Sequence, residues 1–428
     1  MVEHATIPAH VLAAIEKHQR QCSDPMAAFF YDLSALAAHG SAIKAALPEN
    51  VELYYAIKAN SEAAIIDTLA PIVDGLELSS GGEIERACNS TTPRPWVLSG
   101  PGKLDSEMRH AMLQGVEAFH IESLGEIARL QSIAASLQLT QPVLIRINPT
   151  LPDEFSSRLK MAGAATPFGI DEAQLAEAVN AVDTAANLSL CGFHIHAMSH
   201  QKSEQRHQRL LMFYLQRWPQ WRALARNPEQ LTQLNVGGGI GVNYLQPTQQ
   251  FDWPSLCMAL GQQLEAMHEP PLVRFEIGRF LSAFCGYYVI EVIDTKVSHG
   301  EGFLVCRGGT HQFRLPAAQA HDHPIIHLPR KSSLSRHSNL ASPSTPAEHH
   351  PWTVVGQLCT PKDVLSRHQP LSGVAIGDLL VLPLAGAYGY NISHVDFLCH
   401  PRPEQIFVDY SPGSQAPETT PAQSEPVG

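Results

Sequence analysis

The sequence predicts a (β/α)8 barrel of the TIM type followed by a smaller all-β domain. Eight short apolar segments alternate with amphipathic stretches between residues 51 and 277, and this alternation is typical of parallel α/β folds. Polar residues suited to chemistry come directly after several of these segments, where a barrel builds its active site. After about residue 281 the helical periodicity ends. A doubly wound open sheet is the alternative that the alternation alone leaves open.

The predicted barrel strands are short runs rich in apolar and β-branched residues. They cover Val51–Ile57, Ile72–Leu78, Trp96–Ser99, Val116–Ile121, Val143–Ile147, Leu188–His194, Gln233–Val236 and Leu272–Ile277. Between them, Ser123–Ala134 is predicted to be a helix that Ser123 and Glu126 open as a capping box. Ala173–Thr184 is a second helix, because its apolar residues recur with helical spacing.

The all-β domain is predicted from four further segments without helical periodicity, namely Tyr287–Val297, Phe303–Cys306, Trp352–Val355 and Asp378–Leu384. The expected organisation is an N-terminal segment 1–27 that packs on the β-domain, a barrel over 28–280 and a β-domain over 281–410. Within the β-domain, residues 321–351 carry six histidines and many Pro and Ser residues, which is typical of a solvated loop insertion. The tail 411–428 has a disordered composition.

Composition excludes several classes of protein. The 428 residues carry a net charge of −12 and no basic block, which argues against nucleic-acid and membrane-surface partners. No apolar run approaches the roughly 18 residues of a membrane span, and the first 20 or so residues lack a signal-peptide pattern. The eight cysteines include no C-x-x-C pair, so we expect no zinc ribbon or disulfide framework and a reduced, cytoplasmic protein.

Two residues at predicted strand ends suggest cofactor chemistry. Lys58 ends an apolar strand, where burial would lower its pKa and suit it to a Schiff base with a carbonyl cofactor. A snorkelling or ion-paired lysine is the alternative. Glu276 also ends an apolar strand and needs a partner, which could be Arg279 or a protonated heterocyclic nitrogen.

Glycines and histidines give weaker signals. The run Gly237–Gly239 could bring backbone amides close to an anion, or it could simply form a tight turn. His194 and His196 lie on one face of a strand. They could bind zinc, but no third ligand has suitable spacing, so we predict no metal site; one imidazole could instead stack on an aromatic ring.

The ordered motifs together resemble a known family. The segments YYAIKAN, SSGGE, LIRIN, FGI, HIH, NVGGGIGVNY, EIGR, GQLCTPKD and GAYGYN follow one another between about Ala28 and Val408. In this order they resemble the fold type III pyridoxal-phosphate decarboxylases, which include the diaminopimelate, ornithine and biosynthetic arginine decarboxylases. The resemblance implies an alanine racemase-like barrel, pyridoxal 5'-phosphate as cofactor, and a homodimer with its active site at the interface.

The resemblance also implies individual roles. Lys58 would hold the cofactor covalently, His196 would stack on its ring and Glu276 would pair with the ring nitrogen. The phosphate would be held by Ser199, Gly237, Gly238, Gly239, Gly278, Arg279 and Tyr388. Glu77 and Arg146 match positions near Lys58 and the ring oxygen. Cys359 matches a cysteine that enters from the partner subunit and reprotonates the substrate carbon. A carboxylate at residue 276 favours decarboxylation over racemisation, since alanine racemases carry an arginine at that nitrogen.

Departures from the family pattern predict an altered substrate. Thr360 stands where diamine-type enzymes carry an acid that reads the distal ammonium, Pro167 replaces a lysine and Met198 replaces a glycine. The segment ISHVDFLCHPRPEQIFV resembles the branch that acts in siderophore biosynthesis. The implied substrate is a citryl-amino acid, such as citryl-serine or citryl-diaminopropionate, whose carboxylate Arg314 could bind. The alternatives are a diaminopimelate or related basic amino acid decarboxylase, and a cofactor-free regulatory homologue.

Overall fold

The computed structural model describes residues 6–155, 163–330 and 351–410. Within these ranges the chain forms two compact units. The first contains Ala37–Val242 and Gln250–Leu281, and the second contains the described parts of Met1–Leu36, Asn243–Gln249 and Ser282–Gly428. No helix of the described ranges is both long enough and apolar enough to span a membrane.

The strands and helices are numbered in chain order. The strands are β1 (Ala27–Asp32), β2 (Val51–Ala56), β3 (Gly75–Leu78), β4 (Trp96–Leu98), β5 (Ala118–Ile121), β6 (Gln141–Asn148), β7 (Ile170–Asp171), β8 (Leu188–His194), β9 (Gln233–Gly237), β10 (Leu272–Ile277), β11 (Gly286–Ser298), β12 (Glu301–Cys306), β13 (Ile326–Leu328), β14 (Trp352–Val355), β15 (Val364–Gln369), β16 (Leu379–Pro383) and β17 (Glu404–Val408). The helices are α1 (Ala9–Gln21), α2 (Leu33–Ala45), α3 (Ala63–Leu69), α4 (Gly81–Cys88), α5 (Asp105–Leu113), α6 (Leu124–Ser136), α7 (Leu175–Thr184), α8 (Glu204–Arg222), α9 (Trp253–Ala266), α10 (Arg279–Ser282) and α11 (Leu315–Gln319).

The first unit is a closed parallel barrel. Its eight strands follow the order β2, β3, β4, β5, β6, β8, β9 and β10, and β10 pairs back with β2. Closure excludes the open sheet, and the predicted barrel is confirmed. Each of the eight predicted segments contains or overlaps one observed strand. The strands are buried almost throughout, which explains why they read as continuous apolar runs.

The start of α6 differs from the prediction in one bond. The Ser123 hydroxyl accepts a hydrogen bond from the Glu126 amide at 3.1 Å, as a cap should. The Glu126 carboxylate does not complete a capping box with residue 123. It accepts instead from the Glu122 amide at 3.0 Å and from the Lys103 ammonium at 2.5 Å. This arrangement fixes Glu122, which lies directly after β5.

The second unit is built on a mixed sheet around the long strand β11. This strand pairs antiparallel with β1, β12 and β16, and β1 pairs in parallel with β17. Val11 and Ile15 of α1 belong to the same apolar cluster as Phe30 and Val289. The sequence predicts that the barrel begins at residue 28, but β1 pairs with strands of the second unit, so the barrel begins after β1.

The histidine-rich segment is structured where it is described. His323 is fully buried, and one ring nitrogen lies 2.6 Å from the Pro383 carbonyl oxygen. His327 lies 2.7 Å from the Asp378 carboxylate, and the His321 ring stacks on Tyr244. The start of the predicted loop is therefore packed. Residues 331–350, with the other three histidines, and the tail 411–428 lie outside the described residues.

Candidate active site

Lys58 lies in a short 3-10 turn, residues 57–59, directly after β2. Its ammonium is 3.0 Å from Oε2 of Glu77, which is on the neighbouring strand β3. The Lys58 side chain is 43% exposed, whereas that of Glu77 is 1% exposed. The expectation that Lys58 is buried is therefore wrong. Its ammonium is paired with a buried carboxyl group.

Opposing influences act on Glu77. Burial raises its pKa, the Lys58 ammonium lowers it, and the nearby Glu276 carboxylate raises it. The Ser79 hydroxyl also donates to its Oε1 at 3.1 Å. Burial and the Glu276 carboxylate thus oppose ionisation of Glu77, and the ion pair with Lys58 favours it.

Arg146, on β6, is held by an acidic partner rather than by solvent. Its guanidinium donates to Oε1 of Glu122 at 2.8 Å, and both side chains are buried. The Gly100 and Gly169 amides also donate to the Glu122 carboxylate, at 2.8 and 3.1 Å. The guanidinium lies 4.9 Å from the centre of the Phe168 ring. Arg146 is thus fixed as a rigid cation at the barrel rim.

His196 follows β8 and is neutral. Burial is the main cause that lowers its pKa well below the usual value, and the Lys58 and Arg146 cations lower it further. The Gly238 amide donates to Nδ1 at 3.1 Å, so Nδ1 must be unprotonated and the ring proton is on Nε2. The orientation of the imidazole is therefore set by the glycine segment.

The three glycines lie where no other residue would fit without a shift. A Cβ at Gly237 would lie 2.5 Å from Nδ1 of His196, and one at Gly238 would collide with the Glu276 carbonyl oxygen. At Gly239 the Met198 carbonyl oxygen would be in the way. Gly237 and Gly239 also have positive φ angles. Glycine is therefore required at these positions because neighbouring groups approach the backbone closely, and not only because the chain turns tightly there.

Glu276, on β10, is buried and contacts three polar side chains. The Asn235 amide donates to its Oε1 at 2.7 Å. Nε2 of His194 lies 3.3 Å from Oε2, and Nδ1 of His120 lies 3.5 Å from Oε1. The ligand atoms of His120, His194 and Glu276 are all within 4.8 Å of one another, so this trio could also hold a metal ion.

The remaining predicted barrel residues lie beside these groups. A Cβ at Gly278 would be 2.9 Å from the Ala56 carbonyl oxygen, so this glycine packs against the turn that carries Lys58. Ser199 is half-buried, and its amide nitrogen is 3.8 Å from the Cβ position of Gly239. Arg279 begins α10.

Four predicted residues belong to the second unit. Cys359 is an exposed free thiol and Thr360 is half-buried beside it. Arg314 is exposed, and its amide donates to the Ser393 hydroxyl at 2.9 Å. Tyr388 is half-buried and adopts a positive φ of 50°.

Sequence reasoning missed four supporting residues, which are Ser99, His120, Glu122 and Asn235. Glu122 directly follows a predicted strand, and Asn235 lies two residues before the first glycine of the run, so position could have identified both. His120 lies inside an apolar strand and Ser99 ends one. Only the closed barrel brings these two side chains within 2.8 Å of each other.

The chain matches known proteins over nearly its whole length. The pyridoxal-binding domain of the pyridoxal-dependent decarboxylases matches residues 33–283. A 2-[(L-alanin-3-ylcarbamoyl)methyl]-2-hydroxybutanedioate decarboxylase of Staphylococcus aureus is 38% identical over 93% of this chain and 98% of its own. An L-glutamyl-(BtrI acyl-carrier protein) decarboxylase of Niallia circulans is 27% identical over 88% and 87%. The fold matches Helicobacter pylori diaminopimelate decarboxylase with a TM-score of 0.79 at 24% identity, over 92% and 94% of the chains.

Proposed function

Because the chain belongs to the pyridoxal-dependent decarboxylase family, we propose that it removes the α-carboxylate of an amino acid joined to a hydroxy-polycarboxylate. The observation that carries this proposal is the similarity to the Staphylococcus aureus decarboxylase over almost the full length of both chains. The name of that enzyme describes a citrate-type acid whose third arm is an amide of 3-aminoalanine. Its substrate therefore has carboxylates and a hydroxyl at the far end instead of an ammonium.

The barrel residues fit pyridoxal phosphate. The amine of Lys58 is exposed for covalent attachment, and the neutral, half-buried His196 offers a flat face for the ring. Glu276 is a buried carboxyl held by neutral groups, which suits a protonated ring nitrogen. In this proposal the phosphate is held by Ser199, Gly237, Gly238, Gly239, Gly278, Arg279 and Tyr388. The bound cofactor supplies an electron sink for the carbanion that decarboxylation leaves.

Other residues manage charge and protons. Glu77 pairs with the Lys58 ammonium at 3.0 Å, which is close enough for the carboxylate to accept a proton from it. The Arg146 guanidinium is paired with Glu122 and offers a fixed cation to the ring oxygen. Cys359 is a free and exposed thiol, a group that can donate a proton to the substrate carbon. We propose that it does so across the interface of a homodimer.

The second unit supports a substrate without a distal ammonium. An uncompensated buried ammonium would cost roughly 3–5 kcal/mol, and Thr360 offers no charge to pair with one. Arg314 is exposed and can bind a carboxylate with two parallel hydrogen bonds. The Niallia circulans relative likewise acts on an amino acid attached to a larger group. These features favour a conjugate over diaminopimelate.

The proposal extends to the setting of the enzyme. A decarboxylase for a citrate conjugate fits siderophore biosynthesis, and the eight free cysteines fit a reducing, cytoplasmic compartment. We propose that the barrel domain binds the cofactor and that the β-domain contributes Arg314, Thr360 and Cys359 for the substrate.

Release of carbon dioxide from a set of substrates tests the proposed specificity. We expect the amide of citrate with 2,3-diaminopropionate to be decarboxylated, and diaminopimelate, ornithine, lysine and arginine to be turned over at least about 100-fold less efficiently. Arg314→Met should raise KM for the conjugate, whereas Arg367→Met, which removes another exposed arginine of the same unit, should not. Brisk turnover of a free basic amino acid would instead identify a diamine-type decarboxylase.

Covalent attachment at Lys58 is tested by borohydride reduction of the cofactor-loaded enzyme. We expect a phosphopyridoxyl group on the peptide that contains Lys58, and Lys58→Ala should lose this tag and all turnover. Lys44→Ala is the matched control, because Lys44 also forms an ion pair on the barrel and is 33% exposed. An untagged Lys58 peptide from saturated enzyme would refute the assignment.

A further inference from the structure

Two buried imidazoles lie behind Glu276. His194, on β8, and His120, on β5, stack with their ring centres 4.2 Å apart and their planes at 21°. Both residues are almost completely buried. Both nitrogens of His194 and Nε2 of His120 have no hydrogen-bond partner among the described residues. Buried imidazoles with unmet hydrogen-bonding capacity are costly, so their place beside a carboxylate calls for an explanation.

The contacts converge on the two carboxylate oxygens. Nε2 of His194 is 3.3 Å from Oε2 of Glu276, and Nδ1 of His120 is 3.5 Å from Oε1. The Ser99 hydroxyl lies 2.8 Å from the same nitrogen of His120 and fixes that ring. Asn235 donates to Oε1 at 2.7 Å, and its own carbonyl oxygen accepts from the Gly237 amide at 2.9 Å. The described polar side chains within 3.5 Å of the Glu276 carboxylate are thus one amide and two imidazoles.

We propose that His194 and His120 are positioning residues that hold Glu276 as a carboxylate with uncharged donors, and so leave its negative charge for the cofactor's ring nitrogen. The inference rests on the proposed function, in which Glu276 pairs with that nitrogen. An ionised carboxylate can only accept hydrogen bonds, so the proton of His194 must be on Nε2. The shift needed to shorten the 3.3 Å separation to a strong hydrogen bond is a few tenths of an ångström.

The neutrality of the two rings is essential to this role. A cationic imidazole would form an ion pair with Glu276 and compete with the protonated ring nitrogen for its charge. Burial lowers the pKa of both histidines well below the usual value. The Arg146, Lys58 and Lys103 cations lower the pKa of His194 further. His194 also lowers the pKa of His120, as do the Arg274 and Lys103 cations, while Glu276 raises it. The surroundings thus favour uncharged donors over an ion pair.

The direct test is nitrogen-15 NMR of the enzyme loaded with pyridoxal phosphate labelled at the ring nitrogen. In His194→Phe, which keeps an aromatic ring but removes the donor, the resonance should move toward that of an unprotonated pyridine. We expect kcat to fall about 10- to 100-fold, as is usual when a supporting hydrogen bond is lost. His194→Gln retains a hydrogen-bond donor, so both its nitrogen resonance and its kcat should lie close to those of the wild type. If His194→Phe does not fold, His194→Met carries the same expectation.

His207→Phe is the matched control. This histidine, on α8, is also buried with both nitrogens unpartnered among the described residues, but it packs edge-on against Phe251. Its replacement should leave the nitrogen resonance unchanged. A wild-type resonance in folded His194→Phe would overturn the inference. Failure of the wild-type enzyme to take up the labelled cofactor would instead refute the proposed function, and an unchanged resonance in Glu276→Gln would refute the role of Glu276 itself.

Discussion

At the scale of single residues, the glycine run links three parts of the site. The Gly238 amide sets the orientation of His196, and the Gly237 amide donates to Asn235, which in turn donates to Glu276. His196, which we propose to stack on the cofactor ring, and Glu276, which we propose to pair with the ring nitrogen, are therefore held through adjacent peptide groups. A change in the path of this short segment would move both together.

Gly238→Ala should show this coupling. The new methyl group would collide with the Glu276 carbonyl oxygen, so the segment must shift at a cost of about 1–3 kcal/mol. We expect a lower melting temperature and weaker binding of pyridoxal phosphate, measured by thermal unfolding and by titration of the cofactor's absorbance. Gly82→Ala is the control, because nothing lies within 4 Å of its Cβ position in α4 and alanine favours a helix. Equal melting temperatures and equal cofactor binding in the two variants would show that the path of the glycine run does not control the site.

Individual residues differ in how far the sequence alone identifies them. Lys58 and Glu276 could be predicted because a charged residue at the end of an apolar strand is unusual. The exposure of the Lys58 side chain could not be predicted, because it depends on how the elements around the turn at residues 57–59 pack. The Asn235–Glu276 bond was also hidden, because it joins β9 to β10 across 41 residues. Local pattern reveals which residue types are unusual, but only the closed barrel decides which of them meet.

At the scale of secondary structure, the barrel strands were predictable because their burial leaves a signal in the local sequence. Each strand is covered on both faces, so nearly every residue is apolar and the run stands out. Strand β1 has the same composition, and its apolar run gives no sign that it pairs with β11 and β17 rather than with the barrel. Strand β15 has the sequence VLSRHQ, and its polar second half prevents its recognition as an apolar strand. Pairing partners are not encoded in local composition.

The Cys359 loop illustrates how an element can be fixed from within its own unit. Asp363 is buried, and its carboxylate accepts from the Leu358 amide at 2.8 Å. The amide and hydroxyl of Thr310 also donate to it, at 2.6 and 2.7 Å. The turn that carries Cys359 and Thr360 is thereby tied to the segment that leads to Arg314. The proposed proton donor and the proposed substrate ligand are therefore linked by one carboxylate.

At the scale of the whole molecule, buried histidines connect stability to pH. Besides the pair behind Glu276, His207 and His323 are also buried, one in each unit. Burial lowers the pKa of His207 to about 4 and that of His323 to about 3. Both would regain ordinary values on unfolding. At these two positions the folded protein consequently binds fewer protons than the unfolded chain over the mildly acidic range.

The contribution of these two histidines to the free energy of unfolding should therefore fall as the pH is lowered from about 6.5 toward 4. For His207 the loss is about 2 kcal/mol at pH 5, because the unfolded histidine is almost fully protonated there and the folded one is not. Urea unfolding at pH 7.5 and 5.0 measures this loss.

His207→Leu should reduce the difference in unfolding free energy between the two pH values by about this amount, since leucine does not titrate. His268→Leu, at an exposed histidine, should leave the difference as in the wild type. An identical pH dependence in His207→Leu and the wild type would mean that His207 is not held neutral by its surroundings.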